Sequence, residues 1–571
     1  MYSVKIIKGG CQRRIIMKKT TKKMTAGILA AVLAMSMLVG CGGDDKQSAS
    51  NDGNTSTADN GSQSGDGAIS ELTLPLSEDK QELNVWLVYS GTIMSDLNEI
   101  AGVKKMEELT NVHINWTPVN QDELQDKYGT LVASGNYPDI IYAGSIEYPG
   151  GFETGVADGV IYDDMDTLIR NYMPNYMALI ESSDEARREA TADNGKMVIC
   201  KNIVGTDDAA QSEGTYMGLA YRADILEDLG LDVPTTIDEW HDALKTAKDA
   251  GIETPFVLDQ NGGSFIALSW GVSTTSMNYL QLDGDKVVMS QALDGYGDYL
   301  ETMRQWYSEG LINPNFSTFN YYLDTPTSVE AGDTLLYSMI LSSFTGNNYY
   351  NYHMCTVEDE YLQPIVAPLL KSGDTPIQAA SRIIAKDPIY ITTSCKNPEL
   401  AAKWLDFQYS EQGQLLNWYG IEGDTYTLDA DGKPQFTDKV LNGEKAASEI
   451  LQEYALNWGN CWLGKHDTEA GEKVSVAASG GHDQALEAVD IWSEPETNVY
   501  LPTSITLTDA ESMEVTNTLT ALKTMIDEYT INYIVGQDVE SFADFQAELE
   551  ANGLQTVLDV YQAAYDRYLA R

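Results

Sequence analysis

Paired carboxylates are the residues of this sequence with the most direct connection to catalysis. Several pairs are adjacent in the chain, among them Asp163 with Asp164, Glu227 with Asp228, and Asp527 with Glu528. Two carboxyl groups at a fixed separation can hydrolyse a glycosidic bond, one as the acid and one as the nucleophile or base. The chain contains 86 acidic residues, so chance pairs on solvated surfaces are expected. The pairs leave a glycan hydrolase open as an alternative without favouring it.

The histidines and cysteines are scattered rather than grouped. The five histidines occur singly, and Cys200, Cys355, Cys395 and Cys461 lack the spacing of a metal or redox site. Residues 429–436 contain half of a calcium-loop pattern without its later glutamate, so we interpret them as a hairpin turn. We expect no metal, no cofactor and no catalytic residue. The four thiols are either buried and free or joined in disulfides.

Cys41 is the cysteine with the clearest local context. Residues 24–43 carry no charge, whereas the residues before them carry eight lysines and arginines and no acidic residue. This order is typical of a secretory signal, although an uncharged run of that length could also span a bilayer. The order Leu-Val-Gly-Cys at 38–41 resembles a bacterial lipobox and favours cleavage before Cys41. We therefore predict a signal peptide over 1–40 and a lipid on Cys41 that anchors the protein to the outer face of the cell membrane.

The stretch after Cys41 predicts a flexible linker. Residues 42–67 consist mainly of Gly, Ser, Asn, Asp and Thr, a composition that buries too little apolar area to offset the entropy of ordering. We place the linker at 41–79.

The whole chain has a net charge of −50, which disfavours nucleic acid and anionic lipid surfaces as partners.

The body of the chain is too long for one core and alternates between strand and helix patterns. Strands are predicted at 82–89, 112–117 and 139–142, and helices at 94–110 and 121–134. Strands separated by helices favour parallel pairing in an α/β sheet. Ligands of such sheets bind beyond the carboxyl ends of the strands, which directs attention to Tyr89, Ser90, Gly144 and Ser145.

Residues 218–240 carry the most specific pattern. Thr236 and Glu239 form a capping-box signature, and Gly251 is placed to end the helix that follows. Together with residues 133–141, 306–314, 394–407 and 418–426, this segment resembles the family 1 extracellular solute-binding proteins, the receptors of ATP-driven sugar importers. The resemblance covers roughly residues 80 to 570.

The resemblance implies an α/β fold of the two-lobed, type II periplasmic-binding-protein-like class, a clamshell with the ligand cleft between its lobes. The first lobe would comprise 80–212 and 378–422, and the second lobe 213–377 and 423–571. The apolar runs at 382–385 and 388–391, which lead to an Asn397 helix cap, agree with one lobe crossing. The implied protein is a monomeric, non-enzymatic receptor that delivers an oligosaccharide to an ABC transporter permease. A peptide or other non-sugar solute remains an alternative ligand.

A sugar offers an apolar C–H face and a rim of hydroxyls, so aromatic rings beside polar side chains suit it. Trp458 and Trp462 are weaker candidates for this role because the sequence does not place them. We expect a neutral sugar, because two of the candidates are glutamates, unless Arg222 or Arg382 lies in the cleft. The candidate ligand-binding residues are Trp86, Tyr89, Ser145, Glu147, Tyr216, Trp270, Ser343, Phe344 and Glu422.

Overall fold

Two sheets, each next to its own hydrophobic core, organise the chain in a computed structural model. The strands are β1 Gln81–Val88, β2 Val112–Val119, β3 Ile140–Tyr142, β4 Cys200–Ile203, β5 Met217–Arg222, β6 Leu280–Asp283, β7 Lys286–Met289, β8 Leu336–Ile340, β9 Leu362–Ile365, β10 Ile377–Gln378, β11 Ala385–Ile391, β12 Tyr426–Leu428, β13 Pro434–Phe436 and β14 Thr497–Asn498. The structure describes residues 71–182, 184–203, 217–259, 262–274, 279–319, 321–340, 361–379, 385–467, 470, 473–474, 484–495, 497–502 and 504–571.

Helices connect most of these strands. They are α1 Ala101–Thr110, α2 Leu124–Ser134, α3 Phe152–Ala157, α4 Met165–Tyr172, α5 Pro174–Ile180, α6 Asp184–Ala190, α7 Ala223–Leu229, α8 Ile237–Ala250, α9 Asp294–Ser308, α10 Tyr321–Ala331, α11 Pro398–Tyr409, α12 Glu411–Trp418, α13 Asp438–Leu441, α14 Ala447–Tyr454, α15 Gln484–Ser493, α16 Asp509–Ile534, α17 Phe542–Ala551 and α18 Leu554–Leu569. Short 3-10 helices include Leu97–Glu99, Gln121–Glu123, Phe265–Trp270 and Leu456–Gly459. In the described part of the chain, every helix is too short or too polar to cross a membrane.

The sheet of the first lobe has the strand order β2-β1-β3-β11-β4. Strand β1 pairs in parallel with β2 and β3, as the alternation of strands and helices predicts. Strand β11 instead runs antiparallel to both β3 and β4. It differs because it follows residues of the second lobe, without the crossover helix that a parallel strand needs.

The second lobe departs further from the expected parallel pairing. Its central sheet has the order β8-β5-β9, and both pairs in it are antiparallel. Strands β6 and β7 form a separate antiparallel hairpin. Alternation along the chain was therefore a correct guide to the pairing of β1, β2 and β3. The other parallel pair of named strands in the described residues, β10 with β14, joins strands far apart in the chain.

The predicted helix starts are confirmed where a capping side chain specifies them. The Thr236 side chain accepts the Glu239 N–H, and the Glu239 side chain reaches back to the Thr236 backbone, which completes the capping box. Asn397 accepts the Leu400 N–H, with Pro398 at the first helical position. Gly251 ends its helix with φ 106°, a left-handed conformation that favours glycine.

The first helix is shorter than the sequence predicts. The stretch 94–110 divides into the 3-10 helix Leu97–Glu99 and α1, because Ile100 is extended with ψ 128°. Gly102, in the first turn of α1, lies against other backbone: an added Cβ would be 2.6 Å from Leu416 O and 2.7 Å from Tyr454 O. This close approach depends on contacts that only the folded chain contains.

Three chain crossings connect the two main cores. Residues 67–571 form one compact unit, in which the first core includes residues of β1 to β4 and α11, and the second includes residues of β5, α8, α9, α16 and α18. The chain passes from the first to the second core between Ile203 and Met217, returns before Ala385, and leaves again after Val474.

The third crossing comes later in the chain than the sequence predicts. We expected 423–571 to belong to the second lobe. Described residues between Trp418 and Val474 form a third hydrophobic cluster, and Leu456, Cys461 and Leu463 from the same stretch belong to the first core. In this stretch Lys465 pairs with Ile203 of β4, and Gly459 accepts a hydrogen bond from Ser90. The segment that follows Trp418 therefore remains with the first lobe up to about residue 474.

The described cysteines Cys200, Cys395 and Cys461 are buried free thiols. Of the two alternatives, free thiols or disulfides, these three cysteines therefore correspond to the first. Cys355 lies outside the described residues. Residues 429–436 form part of the β12–β13 hairpin, with Gly432 at φ 81°, as predicted.

Asp406, which is fully buried, predicts a pH-dependent stability. Burial raises the pKa of Asp406 to about 6, although hydrogen bonds from Asn175 and Tyr176 oppose the rise. Since this pKa lies above the unfolded value of about 3.9, the protonated carboxyl stabilises the fold below pH 4, and that contribution is lost as the pH rises through 6. We expect a loss of about 2–3 kcal/mol between pH 4 and pH 7.5.

Thermal melts of wild-type protein and Asp406→Asn at pH 4.5 and 7.5 test this. The variant should gain melting temperature relative to wild type at the higher pH, because its amide does not ionise. The same difference between the two proteins at both pH values would contradict the assignment.

Candidate functional site

The carboxyl ends of the first-lobe strands meet a loop from the later part of the chain. The Trp462 N–H donates to the Tyr142 hydroxyl at 3.2 Å, at the end of β3. Farther along the loop, the His466 N–H donates to Ile203 O at 2.7 Å, where β4 reaches the first crossing. Residues 459–466 therefore lie over the strand ends at which ligands of open α/β sheets bind.

Tyr89 lies at the predicted strand end but is 5% exposed. An added Cβ on Gly459 would be 1.9 Å from the Tyr89 ring, and one on Gly91 would be 2.4 Å from its hydroxyl. The hydroxyl is buried and has no hydrogen-bond partner among the described residues. Burial raises the pKa of Tyr89 well above its ordinary value. Gly91 and Gly459 thus leave the space that the Tyr89 side chain occupies, and its hydroxyl is the polar atom there that forms no hydrogen bond with the described residues.

Trp462 is a half-buried indole in the same loop. Its ring stacks on His466 with centroids 5.1 Å apart, and His466 stacks on Trp418 at 4.8 Å. The Trp418 indole N–H donates to Lys465 O at 2.9 Å, which fixes the base of the column. This aromatic column, Trp418–His466–Trp462, supports a partly exposed aromatic ring at the crossing end of the first lobe.

The second lobe contains a pocket next to two of the crossings. It encloses about 370 Å³ of empty space, solvent at its mouth included. Met217 is the first described residue after one crossing, and Ala379 is the last before another, so the pocket faces the hinge side of its lobe. Its lining includes Met217, Gly218, Phe265, Leu268, Ile377, Gln378, Ala379 and Trp492.

Trp492 is fixed in the wall of this pocket by β5. Its indole N–H donates to Leu219 O at 3.0 Å. An added Cβ on Gly218 would be 2.4 Å from the indole ring, so the ring requires glycine at that position. Trp492 is not among the ligand-binding residues predicted from the sequence. Its pairing with Gly218, far away in the chain, gave no local signal.

Gln378 supplies the pocket with a polar atom that can accept a hydrogen bond. Its side-chain N–H donates to Pro495 O, which orients the amide. The Gln378 Oε1 atom is buried and has no partner among the described residues. An unsatisfied buried acceptor of this kind costs free energy that a new hydrogen bond would recover. The pocket combines apolar walls with one polar side chain.

The two predicted tryptophans occupy different environments. Trp86 is 5% exposed and packs on Tyr128 in the first core, with ring centroids 6.0 Å apart. This burial favours a packing role over ligand contact. Trp270 is half-buried and packs edge-on against Tyr299 at 5.6 Å. Phe265 and Leu268, from the same 3-10 helix, line the pocket, whereas Trp270 is not part of its lining.

The polar candidates also separate. Ser145 and Glu147 are exposed after β3, on the same edge as Tyr89. Glu422 is exposed in the turn before β12 and belongs to the surroundings of the third cluster rather than to the strand ends. Tyr216, Ser343, Phe344 and the lipidation candidate Cys41 lie outside the described residues.

Arg222 does not offer its charge to a ligand. Its guanidinium binds Asp224 at 2.5 and 2.7 Å and Val329 O at 2.5 Å. Arg382 lies outside the described residues. Within the described part of the chain, no group of three or more metal-ligating side chains occurs.

Comparison with known proteins identifies the family. The family model described as "Bacterial extracellular solute-binding protein" matches residues 90–415, more than half of the chain. The chain belongs to the bacterial extracellular solute-binding protein family. This confirms the family that the sequence resemblance indicated.

Curated members of the solute-binding protein family are similar along most of their length. The fructooligosaccharide ABC transporter substrate-binding protein FusA of Streptococcus pneumoniae is 24% identical over 97% of this chain and 99% of its own. The polygalacturonan/rhamnogalacturonan-binding protein YtcQ of Bacillus subtilis is 21% identical over 81% of this chain and 87% of its own.

Solved structures confirm the fold. A human-milk-oligosaccharide ("HMO") binding protein of Bifidobacterium longum infantis has a TM-score of 0.67 at 18% identity, over 86% of this chain and 99% of its own. FusA in complex with kestose has a TM-score of 0.63 at 23% identity, over the same shares. The chain thus has the two-lobed α/β clamshell fold that the resemblance implied.

Proposed function

We propose that this protein is an extracellular receptor that binds an oligosaccharide and delivers it to the permease of an ABC importer. The observation that carries the proposal has two parts. In the first lobe, the partly exposed Trp462 indole stacks on the aromatic column near the chain crossings. In the second lobe, an apolar pocket lies next to two of the crossings. The names of FusA and of the human-milk-oligosaccharide-binding structure agree with a sugar ligand.

The chemistry of the two surfaces suits a sugar. Trp462 offers a flat ring for the C–H face of a pyranose or furanose, and Phe265 and Trp492 line the pocket of the second lobe with apolar area. Gln378 is the polar side chain of this lining that we expect to bond a sugar hydroxyl. A neutral sugar is favoured, because Glu147 is exposed at the first-lobe edge and Arg222 is occupied by Asp224.

The test is a ligand panel with purified protein. A neutral fructo-oligosaccharide such as kestose, a neutral milk oligosaccharide, an oligogalacturonate and a peptide are compared by thermal shift and calorimetry. A bound sugar at about 100 times its Kd should raise the melting temperature by roughly 5–10 °C. Chromatography should recover the sugar unchanged.

The outcomes separate the alternatives. Cleavage of the sugar would support the glycan hydrolase instead, and a shift with peptide alone would replace the ligand class. Tighter binding of the oligogalacturonate than of every neutral sugar would contradict the charge argument and leave the receptor in place. No shift with any sugar would contradict the proposal.

Lipid anchoring through Cys41 is part of the same proposal. The lipobox-like order at 38–41 and the linker-like composition after it support a monomeric receptor attached to the outer face of the membrane. We expect Cys41→Ser to abolish incorporation of labelled fatty acid and to leave the precursor uncleaved. Normal labelling of this variant would refute the anchor.

A further inference from the structure

The end of helix α18 makes a dense set of polar contacts with the first lobe. Arg567 Nε donates to Asp193 Oδ2 at 2.8 Å, and Arg571 donates to Asp193 Oδ1 at 2.6 and 2.9 Å. The Tyr568 hydroxyl donates to Glu189 Oε1 at 2.8 Å in a buried position. We call Glu189, Asp193, Arg567, Tyr568 and Arg571 the interlobe clasp.

The two sides of the clasp belong to different cores. Glu189 lies in α6, whose Ala190 belongs to the first core, whereas Tyr568 belongs to the second core. The Arg571 side chain is 2% exposed, and its guanidinium stands 5.2 Å from the centroid of the Tyr568 ring. The clasp is therefore a contact between lobes and not the cap of a single helix.

The second lobe supports the clasp arginines from behind. Arg567 binds both carboxylate oxygens of Glu511, at 2.6 and 2.7 Å, and Arg571 donates to Ser504 O at 3.1 Å. Such bidentate, charge-assisted bonds hold a guanidinium in one orientation. Residues of the second lobe thus hold both guanidinium groups at the same time as Asp193 binds them.

The clasp lies beside the first chain crossing. Lys201, two residues before the end of β4, has its pKa lowered by burial, and the charges of Glu189 and Arg571 both act on it. Asp193 lies between α6 and β4, and Ile203 at the end of β4 is the last described residue before this crossing, so the clasp lies on the segment that leads to it. In hinge closure, contacts near the crossing strands move least.

We propose that the interlobe clasp is a fourth, non-covalent connection between the lobes, which acts beside the three chain crossings and restrains how the lobes rotate about the hinge. Two-lobed receptors need relative motion for binding, and flexible crossings alone allow twisting as well as closing. A fixed polar contact at the pivot opposes twisting without blocking closure. The clasp also links the unfolding of one lobe to that of the other.

The experiment compares Asp193→Asn and Arg571→Met with wild-type protein, by differential scanning calorimetry and small-angle X-ray scattering without ligand. Asp224→Asn is the matched control, because it breaks a similarly buried Arg–Asp pair inside the second lobe alone. Asp193→Asn keeps the side-chain shape, so it remains informative if Arg571→Met folds poorly.

We expect wild-type protein and the control to unfold in one calorimetric transition, and the clasp variants to unfold in two transitions several degrees apart. The radius of gyration of the variants should rise by about 1 Å over the roughly 23 Å expected for a compact chain of this size. The effects of the two changes should be less than additive in the double variant, because both remove the contact between Arg571 and Asp193, while Asp193→Asn also weakens the bond from Arg567. Two transitions in wild-type protein, a single transition in both clasp variants, or an unchanged radius of gyration would each overturn the proposal.

Discussion

Replacing Trp462 with alanine should weaken oligosaccharide binding about ten- to hundredfold, or about 1.5–3 kcal/mol. The Trp462 indole is half-buried, and His466 and Trp418 support it from below. A sugar face that covers the exposed side of the ring makes this contact in the bound state alone, so its loss appears mainly in affinity. Isothermal titration with the best sugar of the panel measures the change.

Two further variants keep this prediction falsifiable. Trp116→Ala is a matched control, because Trp116 is another half-buried indole of the first lobe, packed on Trp404 at 6.0 Å and located in β2 at the edge of the sheet. It should reduce stability and leave affinity unchanged. Trp462→Phe should recover most of the binding, because it keeps a flat ring. Wild-type affinity in Trp462→Ala would exclude the indole from the site.

The parts of the fold that were predictable from the sequence depend on residues close together in the chain. The capping box of Thr236 and Glu239, the Asn397 cap and the Gly432 turn are all complete within a few residues, and the structure contains each of them. Strand β1 likewise agrees with its apolar pattern.

The direction in which strands pair, and the lobe to which a segment belongs, were less predictable. Both depend on the point at which the chain returns from one lobe to the other. Strand β11 has an apolar pattern that suits either direction, and only its arrival from the second lobe makes it antiparallel. Residues 423–474 have no feature that marks their lobe. Their place beside the first core follows from contacts such as that of Lys465 with Ile203.

The candidate site shows the same division. The strand-end rule placed Tyr89 and Ser145 on one edge of the sheet, but it could not show that Gly459 would cover the Tyr89 ring. Trp462 and Trp492 acquire their positions from distant partners, Tyr142 and Gly218. An aromatic residue in a loop is a weak signal until the backbone that holds it is known.

Gly459→Ala should destabilise the protein by about 2–4 kcal/mol and weaken ligand binding. An alanine Cβ would lie 1.9 Å from the Tyr89 ring, closer than any tolerated contact, so either the ring or the 456–466 loop has to move. Gly459 is not among the residues with positive φ, so the cost is steric rather than conformational. Chemical denaturation measures the change in the free energy of unfolding.

Gly129→Ala is the matched control, and we expect it to change the free energy of unfolding in the opposite direction. Gly129 lies within α2, is exposed and has nothing within 4 Å of an added Cβ, so alanine there should stabilise by about 0.5–1 kcal/mol. In a Tyr89→Ala background the ring is gone, and the cost of Gly459→Ala should fall below about 1 kcal/mol. If the full cost persists without the ring, the strain lies in the loop itself, and Tyr89 is not what requires glycine at 459.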